Sequence, residues 1–259
     1  MSVLERGRDK RLFDGQVMSL RHLEGQEGIL APARYFHGLA TNFAMDHRPH
    51  DRKQSLREYL SEASRALGPL DDSPLVNHIG VVCMVESADG CLVVQRRGKR
   101  VANRPRSLSA SVTGVVDAAE IASGRRGSLG LPDLLRCVTG ETFRELGVKP
   151  SESVFLGMVR ELQRGGKPEF YFFARSALAF DTIRSRWQTA QEKYETDRLE
   201  SFELHTPELS GDFHARHAFL NQLGSTLDSR TVARDGNLTL IVGLLLLACL
   251  VVPESFQMR

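Results

Sequence analysis

The chain has 259 residues, 41% of them hydrophobic, enough to bury a substantial core as one large domain or one domain with an N-terminal extension. Its 34 basic and 32 acidic residues leave a formal charge of +2, which excludes a global pull toward nucleic acid or an anionic membrane, so partners must be sought in local features. The four cysteines, Cys83, Cys91, Cys137 and Cys249, lack the paired spacing of a zinc site, and the first ten residues hold no apolar secretory core; both fit reduced thiols in a cytoplasmic protein.

In chain order, residues 1 to about 30 are polar, with short apolar patches such as Val17-Met18-Ser19-Leu20 that suit small strands or an arm. Leu56, Tyr59, Leu60, Ala63 and Leu67 recur at three- and four-residue steps, predicting an amphipathic helix ended by Gly68-Pro69. Asn77 to Val85 and Cys91 to Gln95 are β-rich runs around Ser87-Ala88-Asp89-Gly90, a hairpin signal. A Val/Ser/Thr-rich strand then leads into Gly114, and Ser123 to Gly130 has the composition of an exposed loop. Val154 to Leu162 and Phe170 to Ala174 flank Gly165-Gly166-Lys167-Pro168 and predict a second hairpin. Thr182 to Tyr194 and Phe213 to Leu223 read as helices, with a strand over Leu199 to Leu204 between them.

Leu238 to Val252 is 15 residues without a charge. A spanning helix needs about 17 or more, so a buried C-terminal helix is the favoured reading over a membrane anchor. The histidines, among them His37, His47, His50, His205, His214 and His217, form no helical metal motif and read as structural or surface residues.

The chemistry is concentrated in Gly140-Glu141-Thr142-Phe143-Arg144-Glu145-Leu146-Gly147-Val148. On a helix Glu141 and Glu145 share one face, about 6 Å apart at Cβ, where like charges repel unless a cation neutralises them. A divalent ion does so, and magnesium takes oxygen ligands while keeping several waters, so few carboxylates suffice. Upstream, Gly114-Val115-Val116-Asp117-Ala118-Ala119-Glu120 sets a glycine six positions before a further carboxylate. Without a motif, Glu141 and Glu145 would read as a solvated helix face with Arg144 as a local partner.

These residues resemble the Nudix box: Gly, five residues, Glu, seven residues, then Arg-Glu-apolar-x-Glu-Glu-x-Gly-apolar. Gly114 and Glu120 match the first half; Glu141, Glu145, Gly147 and Val148 match the second. Gly140 stands where the family has Arg, Arg144 where it has the first Glu of the pair, and 19 residues separate Glu120 from Gly140 where the family has seven. An interrupted box of this kind resembles the branch that hydrolyses UDP-glucose and UDP-galactose. Three other stretches are similar to that branch: Tyr35-Phe36-His37-Gly38-Leu39-Ala40-Thr41-Asn42-Phe43, Cys91 to Val101 with its basic turn, and Pro168-Glu169-Phe170-Tyr171-Phe172.

The resemblance implies an α/β fold, the Nudix α/β/α sandwich, with residues 1–75 as an N-terminal extension and 76–259 as the hydrolase domain. It implies hydrolysis of the pyrophosphate linkage of a nucleotide sugar, with Mg²⁺ or Mn²⁺ held by Glu141 and Glu145. Glu120 is a further catalytic candidate, as a ligand, through water, or as a brace for the loop. Gly114 would give room for close approach to metal or phosphate. Arg96 and Arg97 are candidates for phosphate, and Tyr35, Thr41, Asn42 and Phe43 for the nucleoside or sugar. Glu169 and Glu192 are candidate general bases. The competing readings are another nucleoside-diphosphate substrate (ADP-ribose, a dinucleotide or a coenzyme) and a non-catalytic nucleotide-binding module, which Gly140 and Arg144 favour.

Overall fold

The computed structural model describes residues 14–24, 27–62, 68–99, 101, 104–121, 128–207, 213–228 and 230–251. The expectations placed on residues 1–13, Ala63 and Leu67, Arg100, most of the loop from Ser123, and Val252 fall outside them. The chain has the expected α/β class, with a seven-stranded and a three-stranded sheet and helices. It divides into two compact units: Met1–Val81, Val115–Cys137 and Met158–Phe170; and Val82–Gly114, Val138–Gly157 and Tyr171–Arg259.

In the first unit, β1 (Gln16–Glu24) and β2 (Glu27–Arg34) form an antiparallel hairpin with Leu20 opposite Leu30, extended by the short β7 (Ser128–Leu129). The apolar residues of β1 alternate weakly in sequence, yet Val17, Met18, Ser19 and Leu20 are all buried, because the strand also exchanges backbone bonds with Asn77, Ile79 and Val116. Helices α1 (Tyr35–Ala40) and α2 (Leu56–Glu62) follow, with Met45, Leu60 and Leu75 clustered around α2. The turn Gly165-Gly166 has φ of 64° and 83°, left-handed values that favour glycine. Beside it lies a buried ion pair, Lys167 Nζ to Glu169 Oε1 at 2.5 Å, with Arg164 at 3.5 Å from the same oxygen. Gly80 leaves space for that pair, since a Cβ there would strike both side chains.

The larger sheet has the order β10 (Thr196–Glu203), β4 (Cys91–Arg97), β3 (Gly80–Glu86), β9 (Lys167–Arg175), β8 (Glu152–Glu161), with β5 (Leu108–Ser109) on β4 and β6 (Val112–Val115) on β3. The hairpin expected around Ser87 to Gly90 is present, with Val85 opposite Val93 and Glu86 opposite Leu92. Its first strand begins at Gly80 rather than Asn77, whose φ of 52° turns the chain. Central β3 is buried throughout, which explains its unbroken apolar run.

The helix expected over Thr182 to Tyr194 is shorter: α4 covers Phe180–Trp187, and Lys193–Glu195 is a separate 3₁₀ turn. Propensity alone extended it, but Trp187 is the last residue that packs inside. After α5 (Phe213–Asp228) and α6 (Arg230–Asp235) comes α7 (Leu238–Val251), which buries Leu240, Gly243, Leu244, Leu247, Ala248 and Val251. Asn237 caps α7, its side chain accepting from Leu240 N at 3.1 Å. At 14 residues α7 is about 21 Å long, and no helix among the described residues is long and apolar enough to cross a membrane.

Candidate functional site

Glu141 and Glu145 lie on helix α3 (Leu131–Leu146). It stops at Gly147, φ 71°, whose N–H bonds Phe143 O at 2.9 Å, a left-handed C-terminal cap that keeps Glu145 on the final turn. Glu141 and Glu145 project from one face and are both buried, although each is a carboxylate.

Two neighbouring strands hold them. Thr113 N on β6 donates to Glu145 Oε1 at 3.0 Å, and Gln95 Nε2 on β4 donates to Glu145 Oε2 at 2.6 Å. Gln95 is fixed in turn by donating to Ser111 O at 2.6 Å and by accepting from Thr196 Oγ1. Gly114 packs against the Glu141 carboxyl group, into which a Cβ would project. The glycine of the motif thus serves a close approach between strand and carboxylate.

Glu192 joins them. It lies in the segment released by the early end of α4, and its N–H donates to Arg144 O at 3.0 Å. Carboxylate oxygens of Glu141, Glu145 and Glu192, one from each, lie within 4.8 Å of one another. Oxygens in an octahedral Mg²⁺ shell at 2.0–2.1 Å are about 3 Å apart when adjacent and about 4.2 Å when opposite, so the three carboxylates face a common point and would draw inward to share an ion. Hard oxygen donors without nitrogen or sulfur suit magnesium or manganese. The residues present therefore fit a divalent metal.

Arg144 lies among these groups. Its Nη2 is 2.8 Å from Glu141 Oε1 and its Nε 3.8 Å from Glu192 Oε1. Burial first, then repulsion from Glu141 and Glu195, pushes the Glu145 carboxyl well above its usual range; the bonds from Gln95 and Thr113 oppose this. A cation beside this carboxylate would oppose that shift, because a nearby positive charge favours the ionised form.

The other expected site residues are distributed as follows. Glu120 ends a 3₁₀ turn and accepts the Cys137 thiol at 2.7 Å, outside the three-carboxylate group. Arg97 Nη1 donates to the side chain of Thr113, whose backbone N–H holds Glu145, at 3.4 Å, and its Nη2 is 4.0 Å from Glu195. Arg96 instead pairs with Glu200 and Asp235, each at 2.8 Å, joining β4, β10 and α6. Glu169 is the buried partner of Lys167.

Tyr35, Thr41, Asn42 and Phe43 are brought together in the first unit. Tyr35 stacks on the His78 ring, 6.0 Å between centroids, and Phe43 tilts against it at 5.3 Å with the Arg164 guanidinium 4.3 Å above Phe43. Asn42 donates to Asn77 Oδ1 at 3.0 Å and to Arg164 O at 2.8 Å, and accepts from Asn77 N at 2.8 Å. Thr41 Oγ1 donates to His37 O at 2.8 Å.

Sequence reasoning overlooked Gln95 and Thr113 as the holders of Glu145. The signal for Gln95 was a long polar side chain closing an apolar strand, Cys91-Leu92-Val93-Val94-Gln95, where an inward amide needs a partner.

No protein-family model and no curated protein matches the chain. Solved structures that it resembles include a Deinococcus radiodurans protein, DR0079, at 17% identity and a TM-score of 0.34, covering 48% of this chain and 65% of that one. A MutT protein from Methanosarcina mazei Go1 is 16% identical with a TM-score of 0.35, over 57% of this chain and 94% of that one. A bifunctional NMN adenylyltransferase/ADP ribose pyrophosphatase from Francisella tularensis is 11% identical with a TM-score of 0.31, over 57% and 39%. The chain thus spans less than two thirds of the first and third of these proteins, and the functional reading rests on the site's own geometry.

Proposed function

We propose that the chain is a divalent-metal-dependent hydrolase of the Nudix type that cleaves the pyrophosphate linkage of a nucleotide sugar, UDP-glucose or UDP-galactose, to UMP and a sugar 1-phosphate. The observation that carries this reading is the group of Glu141, Glu145 and Glu192 beside the bare backbone of Gly114, in a segment with the spacing of an interrupted box. A bound Mg²⁺ would neutralise phosphate oxygens and lower the pKa of bound water. Glu141, Glu145 and Glu192 would hold it. Gln95 and Thr113 keep the Glu145 carboxylate aimed at the site, and Arg97 at its edge offers a cation to phosphate. Glu192, the carboxylate from outside the helix, is both the third ligand and the candidate base.

The test is a panel of nucleotide sugars, ADP-ribose and dinucleotides incubated with Mg²⁺, reading nucleoside monophosphate release. Turnover of UDP-sugars, lowered at least about 100-fold in Glu141→Gln and Glu145→Gln, roughly 2.7 kcal/mol of barrier, is the expected result. Release from another substrate alone would move the specificity, and near wild-type rates in both folded variants would remove the metal assignment. A second reading has its own observation: Arg144 already neutralises Glu141, as it would in a nucleotide-binding module without turnover. Binding of UDP-glucose with no product in the same panel selects it.

A further inference from the structure

Arg144 stands where the box normally supplies a carboxylate, and its geometry gives that substitution a use. The guanidinium reaches two of the three carboxylates, at 2.8 Å and 3.8 Å, so it lies where shared positive charge is needed. Its charge is permanent, and it lies beside a group of three carboxylates whose oxygens come within 4.8 Å of one another. A divalent ion that takes Glu141 Oε1 and Glu192 Oε1 competes with the guanidinium for those oxygens, because two cations at that separation repel. One of them must move, and the asymmetry of burial selects which. The Glu141 side chain is 9% exposed and wedged against Gly114, while the Arg144 side chain is 28% exposed on a flexible stem.

We propose that Arg144 is the resident cation of this site, that a divalent ion binds by displacing its guanidinium from Glu141 and Glu192, and that the displaced group becomes a phosphate contact for the ligand. The proposal rests on the metal reading above. Once released, the guanidinium stays tethered one turn from Glu141, beside an ion that draws a diphosphate in. Its planar fork of N–H donors matches phosphate oxygens. The same residue thereby offsets part of the negative charge of the metal-free site and binds the filled site's anion, so losing it has opposite effects on the two ligands.

The experiment titrates the metal-stripped chain with Mn²⁺ alone, then titrates UDP at saturating Mn²⁺, by calorimetry, for wild type, Arg144→Gln and Arg144→Lys. Arg144→Gln is expected to bind Mn²⁺ at least about 10-fold more tightly and UDP at least about 10-fold more weakly. Arg144→Lys keeps the charge and is expected to bind Mn²⁺ within about 2-fold of wild type. Equal or weaker Mn²⁺ binding by Arg144→Gln, or tightening as large in Arg144→Lys, overturns displacement. Unchanged UDP affinity in Arg144→Gln overturns the phosphate contact. Glu145→Gln separates the two levels: loss of Mn²⁺ binding there supports the metal reading whatever position 144 does. A wild type and an Arg144→Gln chain that both fail to bind Mn²⁺ would remove both readings.

Discussion

A methyl group at position 114 would project into the Glu141 carboxyl group. Gly114→Ala must therefore push that carboxylate off the strand, and it is expected to weaken Mn²⁺ binding at least about 10-fold in calorimetry while the chain still folds. A variant with wild-type affinity would show that Glu141 is not needed where it lies. Asn42 illustrates the opposite kind of polar residue. Its amide is spent on Asn77 and the Arg164 carbonyl, so Asn42→Ala leaves buried polar groups unpaired and should cost about 1–3 kcal/mol in urea unfolding, with Mn²⁺ affinity retained. From sequence, Asn42 had the right chemistry to read a pyrimidine, and nothing in its neighbours disclosed Asn77 or Arg164 as partners. Glu141 and Glu145 were legible because a helix fixes the spacing of i and i+4. Glu192 was named from sequence only as a candidate base and not as a neighbour of Glu141 and Glu145, since the residues that bring it to Arg144 are far off in sequence.

Among the elements, α7 shows how much an apolar run conveys and how much it hides. Its sequence is apolar all round, which marks burial without marking a face. The structure supplies the face: Leu244 and Leu247 are fully buried, whereas Leu245 is 45% exposed. Leu247→Ala is expected to destabilise by about 2–5 kcal/mol and Leu245→Ala by less than about 0.5 kcal/mol, measured by chemical denaturation. Similar losses at both positions would mean that the helix is covered on all sides. The two hairpins were recoverable from turn glycines and β-rich runs, and the helix of Glu141 and Glu145 from the motif it resembles. The early end of α4 was not, because Thr182 to Tyr194 keeps helical composition past Trp187 and the stop is set by what Trp187 packs into.

At the scale of the whole chain, two buried ionisable groups give stability a readable dependence on pH. Burial first, then the charges of Lys167 and Arg164, hold the His78 imidazole well below its ordinary 6.5. The unfolded chain then binds a proton near pH 6.5 that the folded chain refuses, so stability is lost as pH falls below that value, by at most about 1.4 kcal/mol per pH unit. Glu145 has the opposite sign: its contribution is fully present below 4.5 and is lost as pH rises from there to its raised folded value. Melting curves between about pH 5 and 7.5 should therefore show a shallower acid-side loss in His78→Phe than in wild type and a steeper one in Glu145→Gln. Parallel curves for all three would mean that burial shifts the titration of neither group. The sequence by itself determined the two hairpins, the spacing of Glu141 and Glu145 and the glycine at 114, because each depends on one segment, while the α/β class came with the resemblance of several segments together. Only the tertiary structure decided that Glu192 joins the carboxylate group, that Gln95 and Thr113 hold Glu145, that Arg96 braces strands while Arg97 reaches Thr113, and that Arg144 lies between two carboxylates. Those are contacts between segments distant in the chain, fixed by strand order and burial, and no local pattern encodes which distant partner a polar side chain meets.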